Sequence, residues 1–270
     1  MSQILKTFED LKASDKKGFI PFVTAGDPDR ETSLEIALAL ARNGADIIEL
    51  GVPFSDPLAD GPTIQASSQR ALENGIAVAD IIKMVRQIRH SSRVPVVLFS
   101  YLNPILRYGV EKLAFEAAEA GAGGVLITDA VDEEAAEIGV VLGNHGLDLI
   151  SLIAPTTSDD RLKRIAQNAR GFLYAVSRAG VTGARDQNSE TAEMLVARAR
   201  QYTDTPIAVG FGISTREQID EVWRYADAAV VGSAIVKVIE NSIGSGNPAA
   251  NVEAFVRGLL PKVAKRASEI

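Results

Sequence analysis

The chain has 270 residues, 46% hydrophobic and 23% charged, with a formal net charge of −7 at pH 7. That balance is ordinary for a soluble protein with a large core, and the acidic excess argues against a nucleic-acid-binding surface, which needs a basic face. There is no cysteine, so disulfides, thiol nucleophiles and thiolate metal sites are excluded together.

The first segment, MSQILKTFEDLKASDKKG, reads as a short amphipathic helix with Ile4, Leu5, Phe8 and Leu11 on one face, and not as a signal peptide. No stretch approaches the roughly 18 apolar residues that span a bilayer. A cytoplasmic protein without a membrane segment is the expectation.

Eight short apolar runs then follow in order. They are FIPFVTAG from Phe19, DIIELG from Asp46, VPVVLFS from Val94, GVLITD from Gly124, LDLISLIAP from Leu147, GFLYAVS from Gly171, PIAVGFG from Pro206 and AAVVGSA from Ala228. Each is dense in Val, Ile and Leu without strict alternation, the pattern of parallel strands covered on both faces. Amphipathic segments such as ETSLEIALALARNG, VEKLAFEAAEAG and SDDRLKRIAQNA lie between them, several opened by an Asp or Ser cap and closed by Gly. Eight strands alternating with helices is the count of a (β/α)8 TIM barrel. The competing architecture is an open doubly wound sheet, but no GxGxxG follows the first strand. No linker or low-complexity seam divides the chain, so one α/β domain over residues 1–270, with an extra N-terminal helix, is expected. The interval from Gly51 to Val94 exceeds 40 residues and contains two helical patterns. Extra length after a barrel strand falls on the catalytic face, so this enlarged insert after the second strand is a candidate for substrate coverage or partner contact.

Two carboxylates stand out. Glu49 lies within an apolar strand, where a carboxylate is costly unless it is paired or used. It is either a buried ion-pair member or a general acid–base whose pKa is raised by dry surroundings. Asp60 lies on the loop leaving that strand. Alone it reads as a cap for the helix opened by Gly-Pro-Thr, as Asp56 does before Pro57, but its place beside the Glu49 strand makes it a candidate too. Glycine-rich ends of the last three strands, SRAGVTGAR, GFGIS and VGSA, either make turns or hold phosphate through backbone N–H groups. Ser214 reads as the N-cap of the helix after the seventh strand, with Glu217 completing a capping box. His90 and His145 fall at helix ends on the stability face, which with the lack of cysteine disfavours a His-rich metal site. No metal is expected. No lysine ends a strand, and Lys237 falls in the helix after the eighth, so a Schiff-base aldolase is disfavoured. Carbon–carbon cleavage here would need a substrate with its own electron sink.

PFVTAGDP, DIIELGVPFSDPLADGPTIQ, YLNPI, SRAGVTGAR, GFGIS and VGSAIVK occur in the order in which tryptophan synthase alpha subunits carry them, and the resemblance runs from about Phe19 to Lys237. The resemblance implies a lyase that splits indole-3-glycerol phosphate into indole and glyceraldehyde 3-phosphate, with Glu49 and Asp60 as its catalytic carboxylates. It implies phosphate contacts at Gly183, Gly212, Gly232 and Ser233 with Phe211 alongside, and Phe22, Phe99, Tyr101 and Tyr174 around the indole or glycerol. Arg178 and Thr182 would belong to a mobile loop after the sixth strand, the threonine closing onto Asp60. It further implies no cofactor in this chain, a beta subunit carrying pyridoxal phosphate, and an alpha2beta2 heterotetramer. The family's proline after the fourth strand is missing: this chain reads TDAVDEEAAE from Thr128, keeping Asp129. That loop meets the beta subunit in the family, so the departure bears on coupling and not on the carboxylates. A stand-alone lyase, another phosphosugar isomerase or epimerase on the same barrel, and a non-catalytic allosteric subunit are the other readings.

Overall fold

The structure, a computed structural model, describes residues 2–176, 187–210, 212–244 and 246–261, and of Asp132 and residues 187–191 the backbone alone. Eight parallel strands close into a barrel in chain order. They are β1 (Gly18–Thr24), β2 (Ile48–Gly51), β3 (Val96–Ser100), β4 (Gly124–Ile127), β5 (Asp148–Ile153), β6 (Leu173–Val176), β7 (Ile207–Gly210) and β8 (Ala228–Val231). All eight expected runs form strands, and the pairing of β1 with β8 closes the sheet.

Helices surround it: α1 (Gln3–Ala13), α2 (Arg30–Arg42), α3 (Pro62–Glu73), α4 (Val78–Ser91), α5 (Leu102–Tyr108) and α6 (Val110–Glu119) in the first half. The second half adds α7 (Asp132–Asn144), α8 (Asp159–Asn168), α9 (Gln187–Arg200), α10 (Arg216–Val222), α11 (Ser233–Ser242) and α12 (Pro248–Leu259). The long interval after β2 contains α3 and α4, as its two helical patterns required. No described helix is long and apolar enough to cross a membrane.

Side-chain alternation along each strand sorts the apolar residues into two cores. Phe19, Val23, Ile48, Leu50, Val96 and Leu98 face outward into the layer between strands and helices. Ile20, Ile47, Val97, Leu126, Ile150, Phe172, Ala208, Ala228 and Val230 face inward and fill the barrel. Because both faces are covered by apolar groups, the sequence shows continuous runs in place of alternation.

The amphipathic start forms α1, with Ile4, Phe8 and Leu11 buried and Leu5 half-buried. These three belong to the barrel interior, and the Phe8 ring lies 5.8 Å from that of Phe172. The extra helix therefore plugs the N-terminal mouth of the barrel. Ser2 caps it, accepting from the N–H of Leu5 at 3.2 Å.

The expected Asp and Ser caps are met at some helix starts and not at others: Ser158 precedes α8 without a side-chain cap bond. Asp29 accepts from the N–H of Thr32, and Gly61 precedes Pro62 at the start of α3. The expected cap of α10 is off by one residue. Thr215 is the N-cap and Gln218 completes the box, while Ser214 donates its N–H to Gln218 Oε1 at 2.7 Å. Glu217 is not the box residue; its carboxylate meets its own backbone N–H and the Thr215 hydroxyl, which lower its pKa.

The plug makes a stability prediction. Phe8→Ala should lower the unfolding free energy by about 3–5 kcal/mol, the range for deleting a buried aromatic ring. Urea unfolding measures it, and a loss below about 1 kcal/mol would mean that α1 does not seal the barrel.

Candidate active site

The upper end of the barrel, where the strands finish, is lined differently from the filled bottom. On β1 and β2, Phe22 and Glu49 are register partners and both point inward. Gly51 follows on β2, and a Cβ there would come within 2.6 Å of the Phe22 ring. On β7, a Cβ at Gly210 would lie 2.2 Å from the Tyr174 hydroxyl. Only glycine at these two positions leaves room for both rings. Phe22 and Phe99 meet edge to face with centroids 5.2 Å apart, and Phe99 and Tyr174 are 6.5 Å apart. The result is an aromatic wall inside the mouth.

Glu49 is completely buried, and among the described residues neither carboxylate oxygen has a hydrogen-bond partner. The ion-pair reading of Glu49 therefore finds no support in the described residues. Burial pushes its carboxyl up to about 8, with no compensating neighbour among the described residues. Asp60 is in a different setting. It is half-buried on the loop before α3 and accepts a hydrogen bond from Tyr101 Oη at 3.0 Å. Burial raises Asp60 to about 6, and the Tyr101 bond partly opposes that rise. Asp60 does not cap α3 with its side chain: Gly61 is the N-cap, and the Asp60 carbonyl accepts from Gln65 Nε2 instead. Burial, with the charges of Glu49 and Asp60, raises the Tyr174 hydroxyl well above its ordinary value.

The resemblance places Tyr101 around the indole or its glycerol chain. Its hydroxyl donates to Asp60 and accepts from the Ala59 N–H at 3.0 Å, and its ring lies 5.2 Å from Phe54. It is thus a support of the acidic loop, a pairing across 41 residues that spacing does not reveal. Asp56 is exposed and accepts from its neighbour Ser55 Oγ. Asp129 accepts from the N–H of Leu102 at 2.7 Å, so the loop that lacks the proline is tied to the start of α5.

Gly212 has φ +77°, a conformation that favours glycine. Gly232 is the N-cap of α11 and Ser233 its first residue, with no side chain capping that end. Its first-turn N–H groups are thus available at the strand ends. Arg178, Thr182, Gly183 and Phe211 lie outside the described residues. Among the described residues, no three His, Cys, Asp or Glu side chains cluster as metal ligands would. His90 lies in the last turn of α4, and His145 ends α7 with its Nε2 2.7 Å from Glu111.

Against this geometry the comparisons are decisive. Residues 8–263 match the family described as Tryptophan synthase alpha chain. The chain belongs to the tryptophan synthase alpha-chain family. Its relatives include the alpha chain of Geobacter sulfurreducens, 50% identical over 240 residues that cover 89% of this chain and 91% of the relative. The alpha chain of Neisseria meningitidis serogroup A is 47% identical over 264 residues, 97% of this chain and 100% of that one. Among solved structures, the tryptophan synthase subunit alpha of Legionella pneumophila superposes with a TM-score of 0.88 at 39% identity, covering 96% of this chain and 97% of that chain. A tryptophan synthase structure from M. tuberculosis, in its aminoacrylate-bound form, gives 0.87 at 34% identity over 96% and 98%. The alpha-chain family cleaves indole-3-glycerol phosphate to indole and glyceraldehyde 3-phosphate, and this chain is a lyase of tryptophan biosynthesis.

The buried carboxyl has a measurable signature. Glu49 ionises near 4.5 in an unfolded chain and near 8 when folded. Between those values the unfolded chain has lost the proton that the folded chain keeps, so this group lowers stability as pH rises. Relative to Glu49→Gln, the protein should lose about 1.4 kcal/mol per pH unit across that window. Denaturant unfolding of both proteins at several pH values reads it, and parallel pH profiles would show that Glu49 is ionised in the folded state.

Proposed function

We propose that Glu49 is the proton-transfer group of the cleavage and Asp60 its electrostatic partner. The observation that carries this is a fully buried carboxyl with no partner of its own among the described residues, inside an aromatic mouth. Held neutral near pH 7, Glu49 donates its proton to C3 of the indole ring, and the ring becomes an indolenine cation. The bond from C3 to the glycerol carbon then breaks, and its electrons return to the ring. The glycerol hydroxyl loses its proton to the Glu49 carboxylate and becomes the aldehyde of glyceraldehyde 3-phosphate, which restores the acid. No water is consumed. Asp60, whose carboxyl at about 6 is mostly ionised at neutral pH, accepts the indole N–H and stabilises the cation.

Phe22, Phe99 and Tyr174 enclose the ring and glycerol chain, with Tyr101 holding Asp60. The phosphate sits on backbone N–H groups at Gly212, Gly232 and Ser233, where the uncapped start of α11 favours an anion. The family resemblance assigns Gly183 and Phe211 to that subsite too, and Arg178 and Thr182 to the loop after the sixth strand, with the threonine meeting Asp60; all four lie outside the described residues. Remote phosphate binding then orients the reacting bond.

The chain itself carries no cofactor in this reading. Its partner is a beta subunit that holds pyridoxal phosphate, in a cytoplasmic alpha2beta2 heterotetramer. Support comes from the segments that follow the strand ends: Leu58, Leu106 (on α5) and Val131, after β2, β3 and β4, are 94%, 52% and 49% exposed. Exposed apolar groups on one end of a barrel suit a protein contact.

Indole release from indole-3-glycerol phosphate tests the reading. Slow release by the purified chain should rise sharply when a cognate beta subunit is added. Glu49→Gln should reduce release by at least about a thousandfold while glycerol 3-phosphate still binds. Comparable release by that variant would remove Glu49 from the chemistry, and fast release by the chain alone would point to an independent lyase.

The hydrogen bond from Tyr101 makes a finer prediction. Because it lowers the Asp60 pKa, Tyr101→Phe should move the acidic limb of the kcat profile to higher pH. An unmoved limb would show that Asp60 ionisation does not govern it.

A further inference from the structure

We propose that Arg70 is a positioning residue of this reaction: by clasping Asp27 and Glu240 it fixes the spacing between the Asp60 loop and the phosphate end of α11. The inference rests on the two subsites proposed above.

Asp60 lies two residues before α3, and Ser233 is the first residue of α11. These two helices pack against each other and against β1. Near their upper ends, Ile64 of α3, Val236 of α11 and Phe22 of β1 form a small buried cluster with Phe99. Farther along, Arg70 of α3 makes the second junction. Its Nε donates to Asp27 Oδ1 at 2.7 Å and its Nη2 to Asp27 Oδ2 at 2.9 Å. Its Nη1 lies 3.5 Å from Glu240 Oε1 on α11.

Asp27 belongs to the loop leaving β1, and its side chain is completely buried. Neighbouring bonds fasten the same junction: Thr24 and Ser67 hydroxyls are 2.6 Å apart, and Asn74 Nδ2 donates to the Pro28 carbonyl. One guanidinium thus joins the Phe22 strand, the Asp60 helix and the phosphate helix.

A stabilising role alone does not call for this arrangement, since apolar residues of similar size often hold a buried junction as well as an ion pair does. A planar fork gripping both oxygens of a buried carboxylate contributes fixed geometry, which a flexible ammonium cannot copy. The substrate spans both subsites, its ring at Asp60 and its phosphate at α11. A change in their separation therefore weakens the whole substrate more than either half.

The test uses the Glu49→Gln protein, in which indole-3-glycerol phosphate stays uncleaved, and compares its affinity with those of glycerol 3-phosphate and indole. Adding Arg70→Met should weaken the intact substrate about tenfold, and adding Glu240→Gln about threefold, with each half-ligand within about twofold of the parent. In the otherwise unaltered enzyme, Arg70→Met and Arg70→Lys should both lower kcat/KM by about ten- to a hundredfold, because charge without the fork does not restore the spacing. Lys237→Met, which removes only the neighbouring contact to Glu240, should leave these values unchanged. Should Arg70→Met fail to fold, Glu240→Gln decides, since it leaves the Asp27 bonds in place. Equal weakening of all three ligands would reduce the clasp to a structural prop, and undiminished affinity for the intact substrate in the folded variants would overturn the proposal. If the parent binds the intact substrate no more tightly than glycerol 3-phosphate, the two-subsite reading itself fails and the clasp's role with it.

Discussion

A closed parallel sheet has no second layer to cover its inner face, so the strands must fill the interior with their own side chains. In this chain the lower interior is filled by Ile20, Ile47, Val97, Leu126, Ile150 and Phe172, with Ile4, Phe8 and Leu11 of α1 closing the end. The filling changes character at the top. There Gly51 and Gly210 give space to the Phe22 and Tyr174 rings, and the inward position between them on β2 is taken by a carboxyl. The same alternation that seals the bottom aims Glu49 into the mouth. With Glu49 in its proposed role, function and fold share one register, and shifting β2 by a single residue would exchange Glu49 for a leucine or an isoleucine.

The two carboxyl groups differ because their surroundings differ. Glu49 sits on a strand, wholly enclosed and without a hydrogen-bond partner among the described residues, so burial raises its pKa to about 8. Asp60 sits on a loop with a phenol donating to it, and rises only to about 6. Near neutral pH one group holds a proton and the other does not. The proposed roles, a proton donor to carbon and a counter-charge for a cationic ring, need that division, and a pair of equally exposed carboxylates would give two anions. Burial supplies the proton donor, and the braced loop supplies the counter-charge.

Much of this was legible in the sequence, for reasons that are local. Each strand is a short Val-, Ile- and Leu-rich run between breakers, so all eight could be placed, and the α1 face was visible in the spacing of Ile4, Phe8 and Leu11. Glu49 drew attention because a carboxylate interrupts such a run. The cap of α10 was misplaced because Ser214 and Thr215 are adjacent and each has an acid or amide three residues on; only the backbone turn chooses between them. Tyr101 and Arg70 were illegible as supports. Their partners lie 41 and 43 residues away in sequence, and an exposed-looking Arg on an amphipathic helix carries no mark of the buried Asp27 it grips.

Those long-range supports follow from where the chemistry is placed. A strand residue such as Glu49 is held by the ladders on both sides of β2, so its position needs nothing further. Asp60 has no ladder. It is fixed from one side by Tyr101, the residue after β3, and from the other by α3, through the bond of Gln65 to its carbonyl. Helix α3 can transmit position only if its own far end is fixed, and a helix lying on a barrel is otherwise free to slide along apolar contacts that are weakly directional. Thr24 to Ser67 and Asp27 to Arg70 remove that freedom with directional bonds in a buried setting. The polar groups beneath the acidic loop thus give it, through a helix, the fixity that Glu49 receives directly from the sheet.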